Sequence, residues 1–314
     1  EQRRVRRYNR RGDIMKIIVG SRGSQLALTQ TKLIVNELSK LNPNVDFEIK
    51  VIKTKGDKIQ DIPLDKMNDK GIFVKEIEEQ LISYEIDMAV HSMKDMPTKM
   101  DERLVFPVIP KREDPRDALI LKNNLKLEDL SMLETMIIGT GSKRRSYQFK
   151  AAYPKAEFEP IRGNIDTRIN KLHTQNLDGI ILAASGLKRI SRENEISHYF
   201  DEKTMVPAPC QGILALQTRT NDYQVIAVLS KVEDRCSRIQ YIAERAYLEE
   251  IEGGCHAPVG AYCEINGDKI TIYAVYGDEQ GSKLIRDNIT GTTDNADELG
   301  RTLAKKMKRA LEES

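Results

Sequence analysis

The chain has 314 residues, with 50 Lys and Arg against 48 Asp and Glu, 39% apolar and 31% charged. At roughly 100–200 residues per domain, that length predicts two or three domains, and the composition is that of an ordinary globular protein, neither disordered nor collagen-like. The longest apolar runs, such as residues 180–184, are far too short to cross a bilayer.

The net charge of +2 conceals an asymmetry. Residues 1–14 carry six Arg against Glu1 and Asp13, a local +4, which leaves −2 for residues 15–314. This arm has no apolar h-region, so it is not a secretory signal, and Met15 opens a strand-like MKIIVG. It reads as a disordered extension or a mis-assigned start, and the remaining charge gives no reason to expect a nucleic-acid partner. The four cysteines, Cys210, Cys236, Cys255 and Cys263, form neither a disulfide scaffold nor a CxxC zinc site, and a reducing cytoplasm is the natural compartment.

Residues 16–20 read as a buried strand. A helix follows in which Leu26, Leu33, Ile34, Leu38 and Leu41 recur at helical spacing, capped by Ser21 or Ser24. Next come a strand over 47–53, a polar stretch over 54–71, a helix over 73–83 and a strand over 86–90. Loops as long as 54–71 are usually functional lids or disordered. After the connector PKREDPRD the pattern resumes: strands over 118–121 and 136–139, a helix over 143–153, a strand over 158–161, a helix over 165–173 and a strand over 179–184. Such alternation predicts parallel βαβ units. A second Pro-rich connector, VPAPCQG, leads into the strand ILALQT. The last ~80 residues change character, with a helix over 234–251, strands hinged on an Asn266-Gly267 hairpin turn, and a closing helix over 296–311.

Three constellations carry chemistry. Arg22, Lys143, Arg144, Arg145, Arg162, Arg168, Lys188 and Arg189 cluster where predicted strands pass into loops or helix starts, and ligands bind at the carboxyl ends of strands in open α/β sheets. The forked guanidiniums of the arginines match carboxylate or phosphate, which implies a polyanionic ligand, although any single one can equally be a solvated helix face. GTGSKRRS lacks the spacing of a phosphate loop. In HSMKDMP, His91, Lys94 and Asp95 are expected on the loop leaving a strand, where a carboxylate among cations stays ionised and can stabilise a developing cation. In GGCHAPVG, two glycines free the backbone to present the Cys255 thiol, against the blander reading of a small buried hydrophobe. His256 points away from it on a strand, so no Cys–His dyad is implied. Cys210, Cys236 and Cys263 look structural.

The motifs SRGSQLALTQT, KGDKIQDIPL, DKGIFVKEIE, DMAVHSMKDMPT, GTGSKRRSYQ, IRGNIDTRINKL, GIILAASGLKRI, VPAPCQGILAL and GGCHAPVGAY, in order from Met15 onward, resemble the porphobilinogen deaminase family. The resemblance implies an α/β fold of two lobes resembling type 2 periplasmic binding proteins plus a small C-terminal α+β domain. It places domain 1 in 15–111 with 207–230, domain 2 in 112–206 and domain 3 in 231–314. It implies a monomeric, cytoplasmic transferase that joins four porphobilinogens head to tail with release of ammonia, and no metal. A dipyrromethane cofactor would hang by a thioether from Cys255. Asp95 would be the catalytic carboxylate, protecting the azafulvenium cation, with Lys94 beside it. Ser92, Lys94, Asp95, Thr140, Ser142, Arg144, Arg145, Arg162, Gly163, Arg168 and Arg189 would hold the cofactor. Arg22, Ser24, Arg162, Arg168 and Arg189 would bind substrate, and Lys66 and Lys70 would belong to the lid. His256, Cys210, Gly141 and Lys143 depart from the residues common in the family, and none removes a catalytic group.

The competing classes are an anion-binding transport protein of the same two-lobed build, which has no use for a tethered primer, and a Cys-dependent acyl transferase, which needs a base near Cys255.

Overall fold

The computed structural model describes residues 15–54, 74–122, 125–130, 134–251 and 257–313. In the first lobe, β1 (Met15–Arg22) runs into α1 (Gln25–Leu41), then β2 (Val45–Ile52), α2 (Lys75–Ile82), β3 (Met88–Ser92) and the short β4 (Leu104–Val105). The second lobe holds β5 (Asp117–Leu121), α3 (Leu127–Leu130), β6 (Met136–Gly139), α4 (Lys143–Ala152) and β7 (Ala156–Glu159). It continues through α5 (Ile165–Thr174), β8 (Gly179–Ala183), α6 (Ala184–Arg189) and β9 (His198–Tyr199). The chain then returns to the first lobe with β10 (Leu214–Arg219) and α7 (Tyr223–Leu229). It closes on α8 (Arg235–Ile251), β11 (Val259–Asn266), β12 (Lys269–Gly277), β13 (Leu284–Thr292) and α9 (Ala296–Glu313).

The sheet orders are β2-β1-β3-β10-β4 and β7-β6-β8-β5-β9, with a separate β11-β12-β13. The first two orders are one topology used twice. Strand β1 pairs parallel with β2 and β3, as β6 does with β7 and β8, while β10 and β5 occupy equivalent antiparallel positions. The expected parallel βαβ units form in both lobes, and each sheet adds an antiparallel strand that the alternation did not predict. One strand in each lobe enters through a connector from the far side and meets its neighbour head-on.

Both large sheets are covered on two faces, which is why their strands read as apolar runs. Ile17 and Val19 of β1 pack with Ile34 and Leu38 of α1 and with Val225 and Leu229 of α7, whereas Ile18 packs on the opposite face beside Ile77 and Leu81 of α2. In the second lobe, Ile169, Leu172 and Leu187 cover one face and Phe149 the other. Phe149 stacks on Tyr153 with ring centroids 4.6 Å apart and meets Phe158 and Phe200 edge-on. In the terminal unit, Tyr247 of α8 and Leu303 and Met307 of α9 fill one face of the three-stranded sheet. Its Asn266-Gly267 hairpin forms as predicted, with Gly267 at φ +62° and Asn266 paired to Lys269.

The connectors at 106–116 and 200–213 run side by side between the lobes. Gly212 adopts φ +91°, and a Cβ there would lie 2.3 Å from the Glu113 carbonyl oxygen, so only glycine lets the two strands of the hinge approach. Cys210 takes a left-handed φ of +63°, stabilised by a hydrogen bond from its backbone N–H to Glu244 Oε2 at 2.6 Å. Cys210 and Cys263 are buried thiols, as expected, but Cys236 is exposed on the first turn of α8.

Candidate active site

The site is built from the carboxyl ends of β1, β3, β6 and β8. Arg22 ends β1, and Ser24 caps α1 by accepting from Ala27 N at 3.3 Å. Ser92 ends β3, with its Oγ 3.1 Å from the buried Gln30 amide nitrogen. His91, expected on the loop, is the penultimate residue of β3 and is buried. Gln217 Nε2 donates to Glu78 Oε1 at 2.8 Å, so its Oε1 faces His91 and accepts from His91 Nε2 at 3.2 Å. Burial, aided by the Arg22 charge and opposed by that hydrogen bond, pulls the His91 pKa down to about 4.

The chain then turns through a single 3-10 turn, Met93–Asp95, in which the Asp95 side chain is exposed and Met93 is buried. Lys94 Nζ donates to Gln211 Oε1 at 3.4 Å. Burial lowers its pKa to about 8; Asp95 and Asp117 oppose that, and Arg145 and Arg144 reinforce it.

From the second lobe, β6 delivers the buried Thr140, whose Oγ1 accepts from Ser142 N at 3.2 Å, and Ser142 in turn caps α4. Arg144 and Arg145, expected to reach the ligand's carboxylates, are both buried on Asp117, the first residue of β5. Arg144 Nη1 lies 2.5 Å from Asp117 Oδ2, and Arg145 Nε lies 2.9 Å from Oδ1. Their remaining donors reach the Val206 and Ile181 carbonyls at 2.8 and 3.0 Å. Two guanidiniums on one carboxylate leave a net positive charge in a dry place, where it acts at longer range than in water.

Gly163, at φ +110°, bends the chain before Asn164 caps α5, and Arg168 Nε donates to the Gly163 carbonyl at 2.8 Å. Burial first, then Arg145 and Arg162, lowers the Arg168 pKa to about 10, while Asp95 opposes the shift. Arg189 ends α6 and donates to the Gly212 carbonyl at 2.7 Å; burial pulls its pKa down to about 10. Lys188 bonds Asp114 at 2.8 Å, and Lys143 reaches the Glu279 carbonyl at 2.9 Å. Both therefore serve the hinge and the terminal unit rather than the cleft.

The structure thus brings Asp95 and Lys94 of one lobe within electrostatic reach of Arg145 and Arg168 of the other. Cys255, His256, Lys66, Lys70 and the 1–14 arm lie outside the described residues. Sequence reading missed Asp117, Gln211, Arg112 and Glu244. The available signals were an Asp opening the apolar run DALIL and polar residues inside both connectors. Among the described residues no group of His, Cys, Asp or Glu is arranged to hold a metal ion.

The facing strand ends of the two α/β lobes bring several cations and the exposed Asp95 toward one cleft, an arrangement suited to a small organic polyanion. The comparisons narrow the reading. The family described as porphobilinogen deaminase, dipyromethane cofactor binding domain, matches residues 17–227, and that described as porphobilinogen deaminase, C-terminal domain, matches 239–309. The chain is 50% identical over 294 residues to a porphobilinogen deaminase of Clostridium novyi, covering 92% of this chain and 97% of that one. It is 48% identical over 299 residues to that of Clostridioides difficile (95% and 99%) and 45% over 293 residues to that of Bacillus subtilis (93% and 92%). Among solved structures, a Salmonella typhimurium periplasmic binding protein with high arginine specificity aligns at 11% identity, with TM-score 0.40, over 75% of this chain and 98% of that one. The chain belongs to the porphobilinogen deaminase family.

The family's dipyrromethane carries acetate and propionate groups, and the donor set suits it. Lys94, Arg145, Arg168 and Arg189 each have their positive charge disfavoured by burial, so bound carboxylates would relieve a strain already present in the protein.

Proposed function

We propose that this chain condenses four porphobilinogen molecules head to tail, releasing ammonia, and hydrolyses the product to hydroxymethylbilane in tetrapyrrole biosynthesis. The observation that carries the reading is that Asp95 of one lobe lies within electrostatic reach of Arg145 and Arg168 of the other. A substrate bearing two carboxylates and a carbon that becomes cationic needs both kinds of group, in one place and on opposite sides.

In this reading Asp95 faces the carbon that loses ammonia and stabilises its developing positive charge, which the surrounding cations would otherwise repel. Lys94, with a proton affinity poised near neutrality, exchanges protons with the leaving amine. Arg22, Ser24, Arg162, Arg168 and Arg189 hold substrate carboxylates. Ser92, Thr140, Ser142 and Gly163 line the cofactor, and Arg144 and Arg145 supply field from behind through Asp117. Dipyrromethane, joined to Cys255, supplies a tethered primer that keeps the growing chain from diffusing away. Lys66 and Lys70 belong to a lid over 54–71. We read the chain as domain 1 (15–111 with 207–230), domain 2 (112–206) and domain 3 (231–314), a reading supported by the three separate sheets. We further read the protein as a cytoplasmic monomer; no helix among the described residues is long and apolar enough to cross a membrane.

The test is the intact mass of the denatured protein beside Cys255→Ala. An adduct of two linked pyrrole units that vanishes in the variant supports the reading. A bare mass that stays bare after incubation with porphobilinogen overturns it and returns the anion-binding transport protein to the front.

A further inference from the structure

We propose that Gln211 is a positioning residue for this reaction: its amide, clamped in the hinge between the lobes, presents its oxygen to the Lys94 ammonium and holds that ammonium in the cleft beside Asp95. The inference rests on the proposed function for its meaning and on hinge geometry for its support.

Gln211 is wholly buried and sits in the connector turn between the left-handed Cys210 and Gly212. Its Nε2 donates to the Pro115 carbonyl at 2.7 Å and to Asp117 Oδ1 at 3.0 Å, with the Arg116 carbonyl at 3.4 Å. Each of those atoms can only accept, so the amide orientation is forced, and the oxygen must face the other way. There it accepts from Lys94 Nζ at 3.4 Å. Its own backbone is held as tightly, with Arg112 Nε donating to the Gln211 carbonyl at 2.8 Å and Gln211 N donating to the Ala208 carbonyl at 2.9 Å.

One side chain therefore touches both connectors, the carboxylate that anchors Arg144 and Arg145, and the cation next to Asp95. The charged groups facing Lys94 are Asp95 on its own turn, Arg144 and Arg145 from α4, and Asp117 from β5. Two of these oppose its charge and two favour it, so a neutral acceptor at fixed distance has leverage on where its proton equilibrium falls. A shift of the lobes about the connectors would move that acceptor and Asp117 with it.

The experiment titrates Lys94 directly. The purified holoenzyme and its Gln211→Met and Gln211→Glu variants are pulse-labelled with an amine-acylating reagent across pH 6–11, and the extent at Lys94 is read by peptide mass spectrometry. The pH profile of kcat is measured on the same preparations. The parent should label with a midpoint near 8, well below an ordinary lysine near 10.4. Gln211→Met should lower that midpoint and the alkaline limb of kcat together, by about one pH unit, the loss of one hydrogen bond to a charged group. Gln211→Glu puts a second oxygen where the amide NH2 met the Pro115 carbonyl and Asp117, so it holds a proton there, keeps an acceptor for Lys94 and should leave both midpoints near the parent's. A structural role alone would change stability and rate at all pH values without moving either midpoint. A parent in which Lys94 labels like an ordinary lysine overturns the proposal without any variant, as does a folded Gln211→Met with the parent's profile or a folded Gln211→Glu with the profile of Gln211→Met. A labelling shift in Gln211→Met relative to a parent that has no deaminase activity overturns the proposed function while leaving Gln211 as the group that positions the Lys94 ammonium.

Discussion

Glu244 of α8 and Arg112 of the first connector form a two-pronged ion pair, Nη1 to Oε1 at 2.6 Å and Nη2 to Oε2 at 3.1 Å, with both side chains almost completely excluded from solvent. The same carboxylate accepts from the backbone N–H of Cys210 in the second connector and of Cys263 in β11, at 2.6 and 2.9 Å. One buried Glu thus ties both hinge strands to the terminal unit that carries Cys255 in its sequence.

Removing that carboxylate leaves a buried guanidinium and two backbone donors without acceptors. Glu244→Ala should cost about 3–5 kcal/mol, the usual penalty for breaking a buried pair from one side. Denaturant unfolding measures the loss, and proteolysis should open first at the 106–116 and 200–213 connectors. A change below about 1 kcal/mol would remove Glu244 from this role.

Asp117→Asn should be similarly severe, because it strands Arg144 and Arg145 in the interior with no counter-charge. The two guanidiniums hold the Asp117 carboxyl far below the usual carboxylate range despite its burial. A folded-state pKa below the unfolded value of about 3.9 means that the stability is present above pH 4 and is lost as pH falls below it. Acid unfolding should therefore be steeper in the parent than in Asp117→Asn, read as the slope of unfolding free energy between about pH 4 and 2.

His91 acts in the same direction over a higher pH window. Its folded pKa of about 4 lies below the ordinary 6.5, so the unfolded chain binds the extra proton between these values and stability falls as pH drops from about 6.5 to 4. Its ring resonances should show no titration between pH 5.5 and 8 in the folded protein, and His91→Gln should flatten the stability curve across that window. A midpoint near 6.5 would contradict the buried, neutral ring.

Arg168 donates to the Gly163 carbonyl, and burial disfavours its charge, so the fold gains little from the guanidinium. Arg168→Leu should leave the unfolding free energy within about 0.5 kcal/mol of the parent while chain growth stalls, read by the masses of partly elongated enzyme species. Unchanged steady-state rates would count against its role. Asp95→Asn should abolish turnover with the dipyrromethane adduct still in place, and full activity would end the proposed mechanism.

Much of the architecture was legible in the sequence because it is local. Apolar spacing marked α1, α4, α5, α8 and α9 to within a few residues, and Asn266-Gly267 marked its hairpin, since periodicity and turn chemistry act over neighbouring residues. The positions of the cations near strand ends, and of Asp95 just after β3, could be read locally, but Lys143 and Lys188 turn to the terminal unit and the hinge, and Arg144 and Arg145 turn to Asp117. Strands too short to show a period, β4 and β9, and the antiparallel entry of β5 and β10 were not legible, because pairing direction depends on where a connector leads. The partners of the cations were the other gap. Whether Arg145 faces a ligand or Asp117, and whether Lys94 keeps its proton, depends on which side chains from residues 94, 117, 145 and 211 share one dry space. Sequence determined which charges this protein carries and which strand ends present them; only the tertiary structure decided which are neutralised inside and which are left to act in the cleft, because burial and distance set the strength of a charge and neither is a local property.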